Sequence, residues 1–197
     1  MTDTSTRPAE PVGRGHEGVA RARILDAASE LIYANGIRGT SADRIIEAAG
    51  ITKVTFYRHF RTKTDLVVAY LERQAELEQG AFLAARVEGD GIRSLQNIAG
   101  FIGAASCLPG FRGCAFINAA AETPDAGDPV RSVVEAHRSW MRDFFAATAA
   151  DAGAPDPEAT ARRLMMLRDG AMVAGYLGDP DEISATLEEA FRVALGR

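Results

Sequence analysis

Residues 40–63 constrain this chain more than any other stretch, because two short helical segments there meet at one glycine, Gly50. A turn that tight needs a residue tolerant of positive φ, and glycine adopts it without the steric penalty of a Cβ. Ala48 and Ala49, just before the turn, are small enough to let the two helices approach closely. The first segment starts at Thr40 or Ser41, with Thr40 and Asp43 at capping-box spacing, and continues through Arg44, Ile45 and Ile46. Thr52 is placed to cap the second, which ends at His59 or Phe60. Phe56 and Phe60 lie four residues apart on one face, so they are expected to lock this helix onto Ile45 and the first helix of the chain. The pattern is a helix-turn-helix.

A formal net charge of −5 suits a polyanionic partner poorly until it is divided along the chain. Residues 36–63 hold six basic side chains (Arg38, Arg44, Lys53, Arg58, Arg61, Lys63) and two acids, Asp43 and Glu47, a local balance of +4 that leaves −9 elsewhere. The only two lysines of the chain, Lys53 and Lys63, fall in this stretch. Binding a nucleic acid needs a local cationic face, not a basic whole. Free N–H groups at a helix start attract phosphate, and the first turn of a recognition helix points at base edges. Lys53 can donate to guanine acceptors, and the methyls of Val54 or Thr55 can meet a thymine methyl. Tyr57, Arg58 and Lys63 can reach phosphates, with Thr52 and His59 completing the set, while Thr40, Ser41 and Arg44 can hold the backbone at the start of the preceding helix. The expected partner is double-stranded DNA.

Around this motif the chain reads as helical throughout. Residues 1–16 mix Thr, Ser, Pro, Gly and charge without periodicity, the composition of a disordered tail. Residues 17–35 repeat apolar side chains at Ile24, Ala28, Leu31 and Ile32 and close at Gly36. Thr62 and Asp65 open a long fourth helix that reaches at least Gln79. Further helices are predicted over 92–106, 114–122, 129–150, 157–177 and 181–195, with a Pro-Gly-Phe-Arg-Gly turn at 109–113. Strand alternation is absent from the pattern, so the fold class is all-α with about nine helices, divided into a tail (1–16), a helix-turn-helix domain (17–64) and a helical remainder (65–197).

The motif resembles the tetracycline-repressor-type (TetR) family of transcriptional regulators. The resemblance rests on Thr40-Ser41, the run from Glu47 through Ala-Ala-Gly-Ile to Thr52, the Thr55-Phe-Tyr57 core, Phe60 and Lys63, and it covers about residues 20–70. The sequence departs from the family pattern at Arg44, where an acid is common, at Ile46, commonly alanine, and at Val54, where Gly, Ala or Pro is frequent. The resemblance implies a homodimer on a palindromic operator, an inducer pocket for a small-molecule effector, and a dimer interface in the C-terminal part. It also implies that the fourth helix links pocket to DNA-binding head; repression by operator occupancy follows where the site overlaps a promoter, with activation and corepression as the alternatives.

Leu164, Leu167, Ala171 and Ala174 recur at alternating spacings of three and four, with Leu177 one turn further, and Ile183, Leu187 and Phe191 form a second seam. Such seams suit either an internal core or a four-helix dimer interface, and the resemblance favours the dimer. Candidates for the pocket are large, soft or aromatic: Phe101, Cys107, Phe111, Cys114, Phe116 and Trp140, then Met141, Phe144, Met165, Met166, Met172 and Tyr176. Asn118, Glu122, His137 and Asp169 are polar groups on otherwise apolar faces that could orient a ligand.

Catalysis finds little support: there is no Gly-rich phosphate loop, nucleophile elbow or CxxC, so no catalytic residue and no cofactor is expected. The three histidines, His16, His59 and His137, are spread too widely to build a zinc site, so no metal is expected. Cys107 and Cys114 flank the Pro-Gly turn and provide a thiol-redox alternative to ligand sensing; a helical enzyme transforming a small molecule is the remaining one. Without an apolar run of membrane length or a signal-peptide pattern, no membrane partner is expected and the cytoplasm is the default compartment.

Overall fold

The computed structural model describes residues 13–178 and 180–196. Among them are nine α-helices: α1 (Gly13–Asn35), α2 (Ala42–Ala49), α3 (Lys53–His59), α4 (Lys63–Ala85), α5 (Gly91–Ser106), α6 (Ala115–Glu122), α7 (Pro129–Asp151), α8 (Pro157–Leu177) and α9 (Ile183–Ala194), the last preceded by a 3-10 turn at Pro180–Glu182. The all-α reading holds. Helix α1 begins at Gly13, so residues 13–16 of the expected tail are helical, and residues 1–12 lie outside the described residues.

Side-chain caps start most of these helices. Asp90, Asp128 and Asp156 accept from backbone N–H groups at the starts of α5, α7 and α8, and Pro129 and Pro157 follow at the first helical position, where a missing N–H costs nothing. Thr62 and Asp65 form the expected reciprocal box at the start of α4, each side chain accepting from the other's backbone N–H at 3.0 Å. At α2 the cap is Ser41, whose hydroxyl accepts from the Arg44 N–H, rather than Thr40.

Two apolar cores hold the fold. The first joins Ile24, Ala28 and Ile32 of α1 to Ile45, Phe56, Phe60, Leu66 and Tyr70, and it continues without a break into Phe116 and Ala119 of α6 and Val130 and Val134 of α7. The second gathers Phe82 of α4 with α5, the C-terminal half of α7, α8 and α9.

The helical seams are real, but several of their residues face the subunit's own interior. Leu164, Ala171, Ile183, Leu187 and Phe191 are buried in the second core, and Leu167 packs against it, because α9 lies on α5 and α8 of the same chain. Of the expected dimer residues only Ala174 and Leu177 are exposed. The outward apolar stripe of α8 runs instead through Met166, Val173 and Leu177, with Val193 of α9 exposed as well.

The α5–α9 contact depends on Gly103: a Cβ there would lie 2.6 Å from Ser184 Cβ and 3.0 Å from the Ser184 backbone nitrogen. Gly103→Val is therefore expected to overpack this contact and cost about 1–3 kcal/mol, read as a lowered urea midpoint. An unchanged midpoint would mean that α9 yields without cost.

Candidate nucleic-acid interface and ligand cleft

Helices α2 and α3 meet at Gly50, which takes φ 59° and ψ 44°, the left-handed conformation the sequence required. Its N–H closes α2 on the Glu47 carbonyl, and its own carbonyl accepts from Arg23 of α1. Thr52 caps α3 by accepting from the Thr55 N–H at 3.2 Å. Phe56 is fully buried beneath α3, edge-on to Tyr57 and close to Phe60, so the helix cannot rotate without opening the core.

This fixes which side chains face out. Lys53, Val54, Tyr57 and Arg58 are exposed on α3, as are Ser41 and Arg44 on the side of α2. Val54 is 79% exposed, an aliphatic side chain left in water on the first turn of α3. Thr55 is half-buried against its cap, and His59 is half-buried with an unpartnered Nε2. Two expected contacts are redirected. Thr40 is fully buried, and its hydroxyl donates to the Leu31 and Gly36 carbonyls, so it shapes the α1–α2 loop from inside. The Lys63 ammonium gives one of its three hydrogens to the Ile37 carbonyl and is tied to the same loop. The cationic face gains Arg21 and Arg23 of α1, both exposed, with Arg21 5.3 Å from the Phe60 ring centre. Lys53 carries a countercharge, Asp43, at 3.3 Å.

The α1–α2 loop is also held from the body of the molecule. Glu122, the last residue of α6, accepts from the Ile37 N–H at 2.8 Å and the Arg38 N–H at 2.7 Å, and its carbonyl accepts from the Arg38 guanidinium at 3.1 Å. At the other end of α6, Tyr33 of α1 donates its hydroxyl to the Gly113 carbonyl and accepts from the Arg112 N–H, both at 2.9 Å. Burial pushes the Tyr33 hydroxyl above its usual value, which keeps it protonated as the donor. Arg112 also donates to the Ala34 carbonyl, and Asn118 holds the Arg112 carbonyl at 2.9 Å. Glu122 and Asn118 thus serve the joint between head and body.

Beside that joint opens a cleft of about 620 Å³. One wall is α1 itself, through Ser29, Glu30 and Tyr33; α4 supplies Gln74, Leu77, Glu78 and Ala81; the rest comes from α5, the loop before α6, the first turn of α6 and α8. At its floor lies a buried ionic network. Arg168, 1% exposed, donates to Glu78 and to Asp169 at 3.2 Å; Asp169 also accepts from Arg138 at 2.7 Å. His137 stacks on Phe116 and shares a hydrogen bond of 2.9 Å with Glu78. Burial pushes the Glu78 carboxyl up, but the charge of Arg168 and the hydrogen bonds from His137 and Arg168 outweigh it and hold the group below its ordinary value.

Several solved structures share this architecture. The crystal structure of SCO4454, a TetR-family transcriptional regulator from Streptomyces coelicolor, superposes with a TM-score of 0.86 at 41% identity, over 91% of this chain and 95% of that one. The chain belongs to the TetR family. The family model for bacterial regulatory proteins of the tetR family matches residues 24–70, α1 to the first turns of α4. A TetR-family regulator from Agrobacterium tumefaciens, 22% identical with a TM-score of 0.78, shares the fold over 92% of this chain and 98% of its own. Among curated relatives, the uncharacterized regulator YvkB of Bacillus subtilis is 37% identical over 76 residues, and the transcriptional activator FasR of Mycolicibacterium smegmatis 34% over 77. Each match covers 39% of this chain and spans only 39% and 35% of those relatives' own lengths.

This TetR-family protein is therefore a helix-turn-helix transcriptional regulator, a class that binds DNA, functions as dimers and is not enzymatic. No described helix is long and apolar enough to cross a membrane.

Of the side chains expected in its pocket, Phe101, Phe111, Cys114, Phe116 and Met172 line the cleft. The others are placed elsewhere by packing. Met141, Phe144 and Met165 are buried in the second core with Trp140 against it, His137 lies under Phe116, and Met166 is 75% exposed on the outer face. Tyr176 is exposed beneath the Arg112 guanidinium, Asp169 is engaged by two arginines, and Cys107 is exposed 3.6 Å from Asp181 while Cys114 is buried. Among the lining residues not foreseen are Tyr33, Gln74, Glu78 and Arg168. A signal existed: Arg168 stands among Leu164, Met165, Ala171 and Gly175 on the buried face of α8, and Glu78 lies between Leu71 and Phe82 on α4.

Asp43→Asn removes the countercharge of Lys53, and the affinity of the regulator for non-specific duplex DNA at low salt is expected to rise severalfold with a steeper salt dependence. A titration indistinguishable from the parent would mean that Lys53 does not meet the phosphate field. Glu78→Gln leaves Arg168 short of a buried partner and is expected to cost about 3 kcal/mol near neutral pH. Because the Glu78 carboxyl is held low, this contribution is complete above the ordinary value of 4.5 and fades as pH falls through the depressed value. Urea melts of both proteins at pH 7 and in acid should show the gap closing; a constant gap would refute the ionic account.

Proposed function

We propose that this regulator is a homodimeric, ligand-responsive repressor that leaves a palindromic operator when a small molecule enters the cleft. The reading divides the chain into a tail over 1–16, a DNA-binding head over 17–64 and a ligand-binding and dimerisation body over 65–197, acting in the cytoplasm. The observation that carries it is the double duty of α1, which packs against α2 and α3 through Ile24, Ala28 and Ile32 and lends Ser29, Glu30 and Tyr33 to the cleft wall. An occupant of the cleft thus touches the element on which the DNA-reading helix is mounted.

In the DNA-bound state Lys53 and Val54 read base edges, with Tyr57, Arg58, Ser41 and Arg44 on phosphates. Two heads must enter major grooves about 34 Å apart, one helical turn. The outward stripe of α8, Met166, Gly170, Val173, Ala174 and Leu177, supplies the two-fold interface, its small residues allowing close approach. A ligand that fits the cleft better in one head position shifts the population towards it, and only that difference in affinity can move the balance.

Selection of bound duplexes from a random pool by the purified protein should return a two-fold symmetric site; recovery of no enriched sequence would defeat the reading. Val173→Glu is expected to yield monomers by light scattering and to weaken binding to that site at least tenfold. A dimer of unchanged mass would rule out the α8 stripe as the interface.

A further inference from the structure

Resting on the cleft being the effector site, we propose that the effector is a neutral, largely apolar molecule that offers one hydrogen-bond acceptor, such as a carbonyl oxygen, to Arg168 at the cleft floor. The walls ask for the apolar body: Leu77, Phe101, Ile102, Leu108, Phe116 and Met172 surround a space within the range that holds drug-sized ligands. Leu77, Phe101 and Leu108 are exposed around it, apolar surface left in water.

The acceptor is set by what Arg168 has left to give. Its two terminal nitrogens are occupied by Asp169 and Glu78, whereas Nε, also buried, has no nitrogen or oxygen partner. Cys114, whose thiol sulfur is only a weak acceptor, is buried and lines the same cleft. A ligand oxygen that reaches Nε as the side chains covering it yield gains a charge-assisted hydrogen bond that a hydrocarbon cannot make.

Charge excludes the alternatives. Arg168 and Arg138 are already matched by Glu78 and Asp169, so a carboxylate would bring an uncompensated charge to the floor, past the acid Glu30 on the α1 wall. A cation finds no spare countercharge there, since the Glu78 carboxylate is already shared by Arg168 and His137, and Glu30 is exposed, where pairing is screened by water.

Four probes of one skeleton separate these cases by equilibrium dialysis: 2-acetylnaphthalene, 2-ethylnaphthalene, 2-naphthoate and 2-naphthylmethylammonium. The ketone should bind at least tenfold more tightly than each of the other three. Ala81→Trp, which fills the α4 wall, should abolish binding of the ketone. Arg168→Met should bring the ketone down to the level of the hydrocarbon; should that variant fail to fold, the ranking on the parent protein and the Ala81→Trp result decide. A tightest naphthoate, a tightest ammonium, a ketone equal to its hydrocarbon, no binding by any probe, or binding that survives Ala81→Trp would each overturn the proposal. Operator binding measured on the same preparation keeps the two readings apart. Protein that binds its operator but prefers naphthoate refutes the ligand class alone, and protein that takes the ketone yet ignores all DNA refutes the regulator mechanism.

Discussion

The rest of the molecule depends on the joint at which α6 grips the α1–α2 loop. Glu122 satisfies two backbone N–H groups, those of Ile37 and Arg38, that would otherwise point out of a loop between two helices. Charge-assisted bonds of this kind are short and roughly twice as strong as neutral ones, and they are directional. Apolar packing alone would hold α1 against α6 yet let it slide; the carboxylate and the Tyr33–Gly113 bond, at opposite ends of α6, fix both its height and its tilt. The DNA-reading head is therefore mounted on the body rather than tethered to it. The shared core of α1, α4, α6 and α7 makes the same point in apolar terms.

That mounting explains how an acidic protein carries a cationic wedge. Basic side chains outnumber acidic ones over the small, stiff unit of residues 17–64, where Asp26, Glu30, Asp43 and Glu47 also lie, while the acidic excess is in the body. Within the body, charge is handled in the opposite manner. Glu78, Arg168, Asp169 and Arg138 form a chain in which each sign has its partner, which is the condition for keeping ions out of water at tolerable cost. The surface of residues 36–63 carries unbalanced positive charge, and an interior built from balanced charge lines a cleft whose α1 wall also packs against α2 and α3.

Much of this was legible from residue order because local rules decided it. The turn at Gly50, the cap at Thr52, the Thr62–Asp65 box and the proline-led starts of α7 and α8 depend on neighbours within four residues. The exposed faces of Lys53, Val54, Tyr57 and Arg58 followed from Phe56 and Phe60 by helical periodicity. Direction across space was less legible. Ile183, Leu187 and Phe191 read as a packing seam and are one, but a period of three and four is the same whether the partner helix belongs to the same chain or to another. Thr40 and Lys63 looked free to meet phosphate, and both donate instead to carbonyls at the end of α1 and in the loop after it, whose shape no local rule gives.

The amino-acid order alone determined an all-α TetR-type chain with a helix-turn-helix at 40–63 and a cationic stretch around it, because helix caps, a left-handed glycine and 3.6-residue periodicity act over a few neighbours. Only the tertiary structure decided that α1 serves the head and the cleft together, that Glu122 joins α6 to the loop before α2, and that Arg168 meets Glu78 ninety positions earlier in the chain. Those pairings are set by how whole helices stack, and stacking depends on the summed shape of many side chains, which no short window of sequence contains.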